Sequence, residues 1–176
     1  KNDNNDAEAI CEAVLRPNIW FVPIKTPDQQ AVLCIHRVRQ GLGRDRTRMM
    51  NQLRGLLSEF GIVMPRGRYL AQSAIGGILE DAENGLPMMA RGIIDDLWQR
   101  IKQANEHING YDRELSQLVK ANPVARQIMT IPGVGDQTAS GVVASVPDPR
   151  MFRNSRQFSA WLGLVPRQYT TGGKIK

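Results

Sequence analysis

Two acids near the start of the chain, Asp3 and Asp6, stand three residues apart, which on a helix puts both carboxylates on one face with Cβ atoms about 5 to 6 Å apart. That spacing suits a pair of divalent ions, which at about 3.5 to 4 Å separation polarise a phosphodiester and activate its nucleophile. A plainer role competes, because acids in the first turn of a helix also interact well with its dipole. Asp3 and Asp6 precede Ile10 by seven and four residues, so they continue its apolar stripe. Carboxylates on a core-facing stripe need a partner, and a metal would supply one.

A second motif is Ile131-Pro132-Gly133-Val134-Gly135, set between a short helical pattern through Val124, Ile128 and Met129 and another through Thr138, Ala139, Val142, Val143 and Val146. The expected arrangement is helix, hairpin, helix. Gly133 and Gly135 lack Cβ where a backbone must approach another surface, and the amides that open the next helix face outward. An anionic phosphate fits there, held by N–H groups and the helix dipole without reference to base identity. The alternative is a tight inter-helix turn whose glycines serve packing alone. On the phosphate reading Gly133, Val134 and Gly135 contact the nucleic-acid backbone, while Arg150, Arg153, Arg156, Arg167 and Lys174 add a salt-dependent term.

Charge distribution points to the same kind of partner. Lys and Arg number 23 against 17 Asp and Glu, for a formal charge of +6. Residues 37 to 68 carry Arg37, Arg39, Arg44, Arg46, Arg48, Arg54, Arg66 and Arg68 against Asp45 and Glu59, and residues 150 to 176 carry no acid. Eight of the 17 acids lie between Glu80 and Glu114, so the signs are segregated along the chain rather than mixed.

Other chemistries fit poorly. Cys11, Cys34, His36 and His107 are too scattered for a zinc set, and the unpaired cysteines suit reduced thiols of the cytoplasm in apolar helical surroundings. Thr170-Thr171-Gly172-Gly173-Lys174 lacks the earlier glycine of a nucleotide-binding loop, and Ile175 follows the lysine where Ser or Thr is required. No run of about 18 apolar residues provides a membrane span, so no membrane partner is expected.

The elements that must position these residues are mainly helical. Ala7, Ile10, Cys11, Val14 and Leu15 predict a helix from Asp3 to about Leu15, ended by Pro17, and Trp20 to Ile24 reads as a brief extended segment between prolines. A long helix follows from about Asp28 to Phe60, with Gly41 and Gly43 able to loosen its middle. Residues 61 to 87 predict a hairpin with a short helix around Ala71 to Asp81. Leu97, Ile101, Ala104, Ile108, Tyr111, Leu115 and Leu118 then alternate spacings of four and three, a coiled-coil seam closed by Asn122-Pro123. The seam suits either an antiparallel helical hairpin within the chain or an intermolecular coiled coil.

The acid-bearing start Lys1-Asn2-Asp3-Asn4-Asn5-Asp6-Ala7-Glu8-Ala9, the Ile-Pro-Gly-Val-Gly turn, and Phe158-Ser159-Ala160-Trp161-Leu162-Gly163-Leu164-Val165-Pro166-Arg167-Gln168 followed by Thr-Thr-Gly-Gly-Lys occur in an informative order. Together they resemble the insertion-sequence transposases of the 110 family, most closely its 1111 subgroup. The resemblance covers essentially the whole chain. It implies the terminal helix of a RuvC-like α/β catalytic domain (residues 1–24), a helical coiled-coil region (25–122), and a C-terminal transposase domain with a helix-hairpin-helix (123–176). It further implies a four-acid site for Mg²⁺, of which Asp3 and Asp6 match the last two members. The family's nucleophilic hydroxyl falls at Thr171, with Thr170 beside it; the family has serine there, and threonine carries an extra methyl beside the reacting oxygen. Guidance by an RNA encoded by the element, homo-oligomers formed through the coiled coil, and a nucleoid-associated place in a bacterial cytoplasm are also implied. Lys1 in place of Met, and an end at Lys176 within a Gly-rich basic stretch, suit a piece of a longer protein.

Two other classes compete with the recombinase. One is a non-catalytic nucleic-acid-binding module that grips through the Gly turn and needs no Mg²⁺; the other is a coiled-coil assembly protein whose basic charge is incidental.

Overall fold

The structure is a computed structural model that describes residues 3–17, 19, 21, 23–164, 170, 171, 174 and 175. In order along the chain come α1 (Asp3–Leu15), α2 (Pro27–Glu59), α3 (Arg68–Glu80), α4 (Met88–Ala121), α5 (Pro123–Ile128) and α6 (Asp136–Ser145). A 3-10 turn (Pro149–Met151), α7 (Ser155–Trp161) and the short strands β1 (Thr170–Thr171) and β2 (Lys174–Ile175) follow. The mainly helical expectation holds. The segment from Trp20 to Ile24 forms no strand among its described residues.

Two compact units are distinguished, Pro27–Ser145 and a second made of Lys1–Thr26 with Val146–Lys176. Within the first unit α5 and α6 pack on α4, and α6 also packs on α2.

In the first unit α2 and α4 lie antiparallel, as the pairs Arg39–Asp112 and Arg46–Asn105 require: the partner's number falls as the first rises. The 33 residues of α2 run unbroken through Gly41 and Gly43. It ends where Ile62 N–H donates to the Leu57 carbonyl and Gly61 N–H to the Ser58 carbonyl, a Schellman motif that needs the positive φ of 75° at Gly61. Leu53 and Leu57 from α2, Ile75 from α3, and Ile94 and Ile101 from α4 are all less than 2% exposed and form the main core.

The buried stripe of α4 follows Ile94, Leu97, Ile101, Ala104, Ile108, Leu115 and Val119. Leu118, expected in the seam, is 39% exposed, whereas Val119 is 1% exposed. An α-helix drifts about 20° per heptad against a strict seven-residue repeat, and over three heptads the buried position moves to the next residue. The seam is used within the chain, against α2.

Arg91 joins α3 to α4. It donates to the carbonyls of Leu79 (2.8 Å), Asp81 (2.5 Å), Leu86 (3.2 Å) and Ile78 (3.3 Å), and to Asn84 Oδ1 (2.7 Å). The C-terminal carbonyls of α3 lack helical partners, and one guanidinium with five donors satisfies several at once.

The second unit contributes α1, α7 and the hairpin. Thr170 pairs with Ile175 and Thr171 with Lys174, antiparallel. Asn154 caps α7 by accepting from Gln157 N–H at 3.0 Å. Phe152, Phe158 and Trp161 form an aromatic cluster with ring centroids 5.1 to 6.2 Å apart. No packing forms between α1 and another element among the described residues.

Candidate functional site

The turn between α5 and α6 is shaped by three consecutive residues. Val134 N–H donates to the Ile131 carbonyl at 3.1 Å, closing a β-turn with Pro132 second and Gly133 third. Gly133 has φ of 85°, the left-handed value that a type II turn demands at its third position. Val134 then packs against a small second core of Val119, Ala125 and Ala139, so its side chain anchors the turn and its amide is already spent. Ala139 N–H donates to the Gly135 carbonyl, which makes Gly135 the residue that opens α6. The amides of the first turn of α6 have no helical acceptor and remain available for an anion.

Space around the glycines bears on the packing alternative. A Cβ built at Gly133 or at Gly135 would meet nothing within 4 Å. Gly133 is required by its dihedral angle. Gly135 has no positive φ and no close neighbour among the described residues; it opens α6, a position glycine favours, and leaves space beside the first-turn amides. Asp136 adds a negative charge in the same first turn, and an anion held there would need cations as well as amides.

Polar contacts from two long helices fix the start of α6. Arg39 of α2 grips Asp112 of α4 in bidentate fashion, Nε to Oδ1 at 2.5 Å and Nη2 to Oδ2 at 3.0 Å. Gln137, in the first turn of α6, donates to the same Asp112 Oδ1 at 3.0 Å. The Arg39 guanidinium holds the Asp112 carboxyl below its ordinary value, with a smaller contribution from Gln137. Deeper in the same contact, His36 Nε2 lies 3.1 Å from Ser140 Oγ, and that hydroxyl donates to the Asp136 carbonyl at 2.6 Å. Ser140 thus accepts from His36, which makes Nε2 the protonated nitrogen. Burial, aided by Arg39, lowers the His36 pKa. None of Arg39, Asp112, Gln137, His36 or Ser140 stood out as a site residue in sequence; the available signal was a charged side chain flanking an apolar seam.

The remaining expected residues are dispersed. Asp3 and Asp6 lie in the first turn of α1 and are both exposed, and Ile10, whose stripe they continue, is itself 65% exposed. A partner demanded by burial is therefore not required in this structure. Among the described residues no cluster of three or more His, Cys, Asp or Glu forms. Two carboxylates one turn apart nevertheless suit Mg²⁺, which binds through one or two carboxylates together with waters and substrate phosphates. Arg150 is paired at 3.3 Å with Asp148, Arg153 and Arg156 are exposed, and Thr171 and Lys174 face each other as backbone partners. Arg167 lies outside the described residues. Cys11 and Cys34 are free and exposed rather than set in apolar surroundings. No described helix is long and apolar enough to cross a membrane.

Comparison with known proteins bears on these residues together. Residues 125–176 match the family model described as "Transposase IS116/IS110/IS902 family". The transposase for insertion sequence element IS1328 of Yersinia enterocolitica is 42% identical over 99% of this chain and 51% of its own length. The transposase for IS1111A of Coxiella burnetii is 41% identical over 99% of this chain and 48% of its own. The chain belongs to the IS110 family of transposases. A "probable family 20 transposase" of Pseudomonas aeruginosa agrees, at 40% identity over 99% of this chain and 52% of that protein. The chain spans about half the length of these curated relatives. No solved structure matches it. The family match includes α5 from Ala125 onward, the glycine turn, α6 and the Thr170–Ile175 hairpin, which the fold divides between two units.

Proposed function

We propose that this chain is part of a DNA transposase in which the Ile131–Gly135 turn holds a phosphate backbone and strand cleavage and exchange use Asp3, Asp6 and Thr171. The likeness to insertion-sequence transposases across 99% of the chain supports the reaction class. For the turn, the reading is supported by the open space beside Gly133 and Gly135 next to the first-turn amides of α6, where a phosphate backbone can approach.

In this reading α5 and α6 act as a helix-hairpin-helix and α1 is the last helix of a RuvC-like domain. Asp3 and Asp6 would hold Mg²⁺, which supplies charge neutralisation at the phosphodiester when bound. Thr171 Oγ attacks phosphorus, a Thr–O–P bond forms, and the P–O bond to the departing strand breaks. The threonine proton leaves through solvent, and the departing oxygen becomes a hydroxyl end. Arg150, Arg153, Arg156, Arg167 and Lys174 neutralise backbone charge. An RNA encoded by the element guides target choice, and copies associate through the helical hairpin by faces other than the α4 seam, which α2 occupies.

The test of the turn is Gly135→Ala. Its added methyl has open space among the described residues, so the change costs only a less favourable helix start, about 1 kcal/mol or less, while affinity for duplex DNA at low salt falls several-fold. Unaltered affinity would remove the turn from the interface.

A further inference from the structure

We infer that the outward face of α2 is a second phosphodiester-binding surface, separate from the glycine turn, and that it takes the backbone of duplex DNA; this rests on the DNA-transposase reading above. The observation that carries it is how α2 sorts its arginines. Arg39 is committed to Asp112 and Arg46 to Asn105, at 3.0 Å, both across the hairpin on α4. Arg37 and Arg44 point to solvent and form no ion pair among the described residues. Among the described residues Arg48 pairs with Asp45, at 3.1 Å, with side chains 77% and 50% exposed, and such a surface pair is weak enough to yield to a phosphate.

Arg37, Arg44 and Arg48 are separated by seven and four residues, so they share one helix face over about 16 Å of length. Gln40, Thr47 and Asn51 are exposed between and beyond them, and a shallow concavity runs over Gln40, Arg44, Thr47, Arg48 and Asn51, with Arg39 and Arg46 also in its lining although their guanidinium groups bond across to α4. Guanidinium, amide and hydroxyl groups are the side chains that contact phosphate oxygens. A solvated helix face of no further use would mix its signs, yet between Gln29 and Ser58 the single acid is Asp45.

The form of the nucleic acid follows from what the face contains. No aromatic residue occurs from Arg37 to Asn51, so there is no platform on which unpaired bases would stack. A helix about 10 to 12 Å across fits the major groove of B-form DNA, about 12 Å wide, or lies over its rims, whereas the deep and narrow major groove of duplex RNA excludes it.

The experiment titrates the 176-residue chain and its R37Q/R44Q/R48Q variant with a duplex DNA across a range of salt concentrations. Each lost phosphate contact lowers the slope of log affinity against log salt by about 0.9, so the triple variant should lose about 2 to 3 from that slope. R44Q alone should lose about 0.9, which guards against a folding defect in the triple variant. Slopes unchanged in both variants, with the parent chain binding, overturn the α2 surface. Equal or tighter binding to a double-stranded RNA of the same sequence overturns its assignment to DNA. A Gly135→Ala chain measured alongside separates the two surfaces: loss there without loss in the triple variant overturns only α2, and the reverse supports α2 while removing the turn. A parent chain that binds no DNA at low salt overturns both.

Discussion

His36 is one residue through which pH reaches this fold, at the near-neutral end of the range. Its Nε2–H serves Ser140, whose own hydrogen serves the first carbonyl of α6, and burial beside Arg39 disfavours a second proton. The folded-state pKa lies below the ordinary histidine value of about 6.5, so the unfolded chain binds the proton more readily. The stability contributed by neutral His36 is therefore fully present above about pH 6.5 and declines as pH falls through the lowered value. Chemical denaturation at pH 7.5 and pH 5.5 should show a loss of stability on acidification that His36→Gln largely removes; an equal loss in that variant would place the sensitivity elsewhere. At the same scale, Gly133→Val should do more harm than Gly135→Ala. A valine at φ of 85° is strained by roughly 1 to 3 kcal/mol, visible as a lower melting temperature before any DNA is added.

At the scale of elements, α6 and its preceding turn are held by side chains from α2 and α4. Asp112 accepts from Arg39 and Gln137 together, so Asp112→Asn should loosen three helices at once. The pair is about a third exposed on the aspartate side, so screening reduces its worth to about 1 kcal/mol. Because the Asp112 pKa is lowered, its contribution is present above about pH 4 and disappears as pH falls through the folded value. Hydrogen exchange should find the amides of α6 opening faster in Asp112→Asn, with those around Leu53 unchanged. Leu53→Ala, by contrast, removes a fully buried side chain from the main core and should cost about 2 to 5 kcal/mol in denaturant unfolding. Arg91→Ala belongs with it, since several carbonyls at the end of α3 lose their donor.

At the scale of the whole molecule, catalysis and binding should come apart. In a full-length relative-sized protein carrying this chain, Asp6→Asn should abolish strand exchange while leaving DNA affinity in place; retained exchange would remove Asp6 from the chemistry. The helical elements were legible in the sequence because an amphipathic helix repeats its apolar side chains at a fixed spacing, and that repeat is local. The bounds of α1 and α2, the end of α4, the turn at Ile131–Gly135 and the family motifs all follow from residues a few positions apart. Tertiary structure alone decided what each helix presents to its neighbours. It turned Arg39 and Arg46 toward α4 and left Arg37, Arg44 and Arg48 in solvent. It exchanged Leu118 for Val119 in the buried stripe and packed Val134 against the second core. It also left Asp3 and Asp6 exposed on a helix whose apolar stripe is uncovered. The reason is physical: residues of one charge at helical spacing are equivalent along an isolated helix, and only a second surface, packed against one side, makes some of them structural and frees the others to bind.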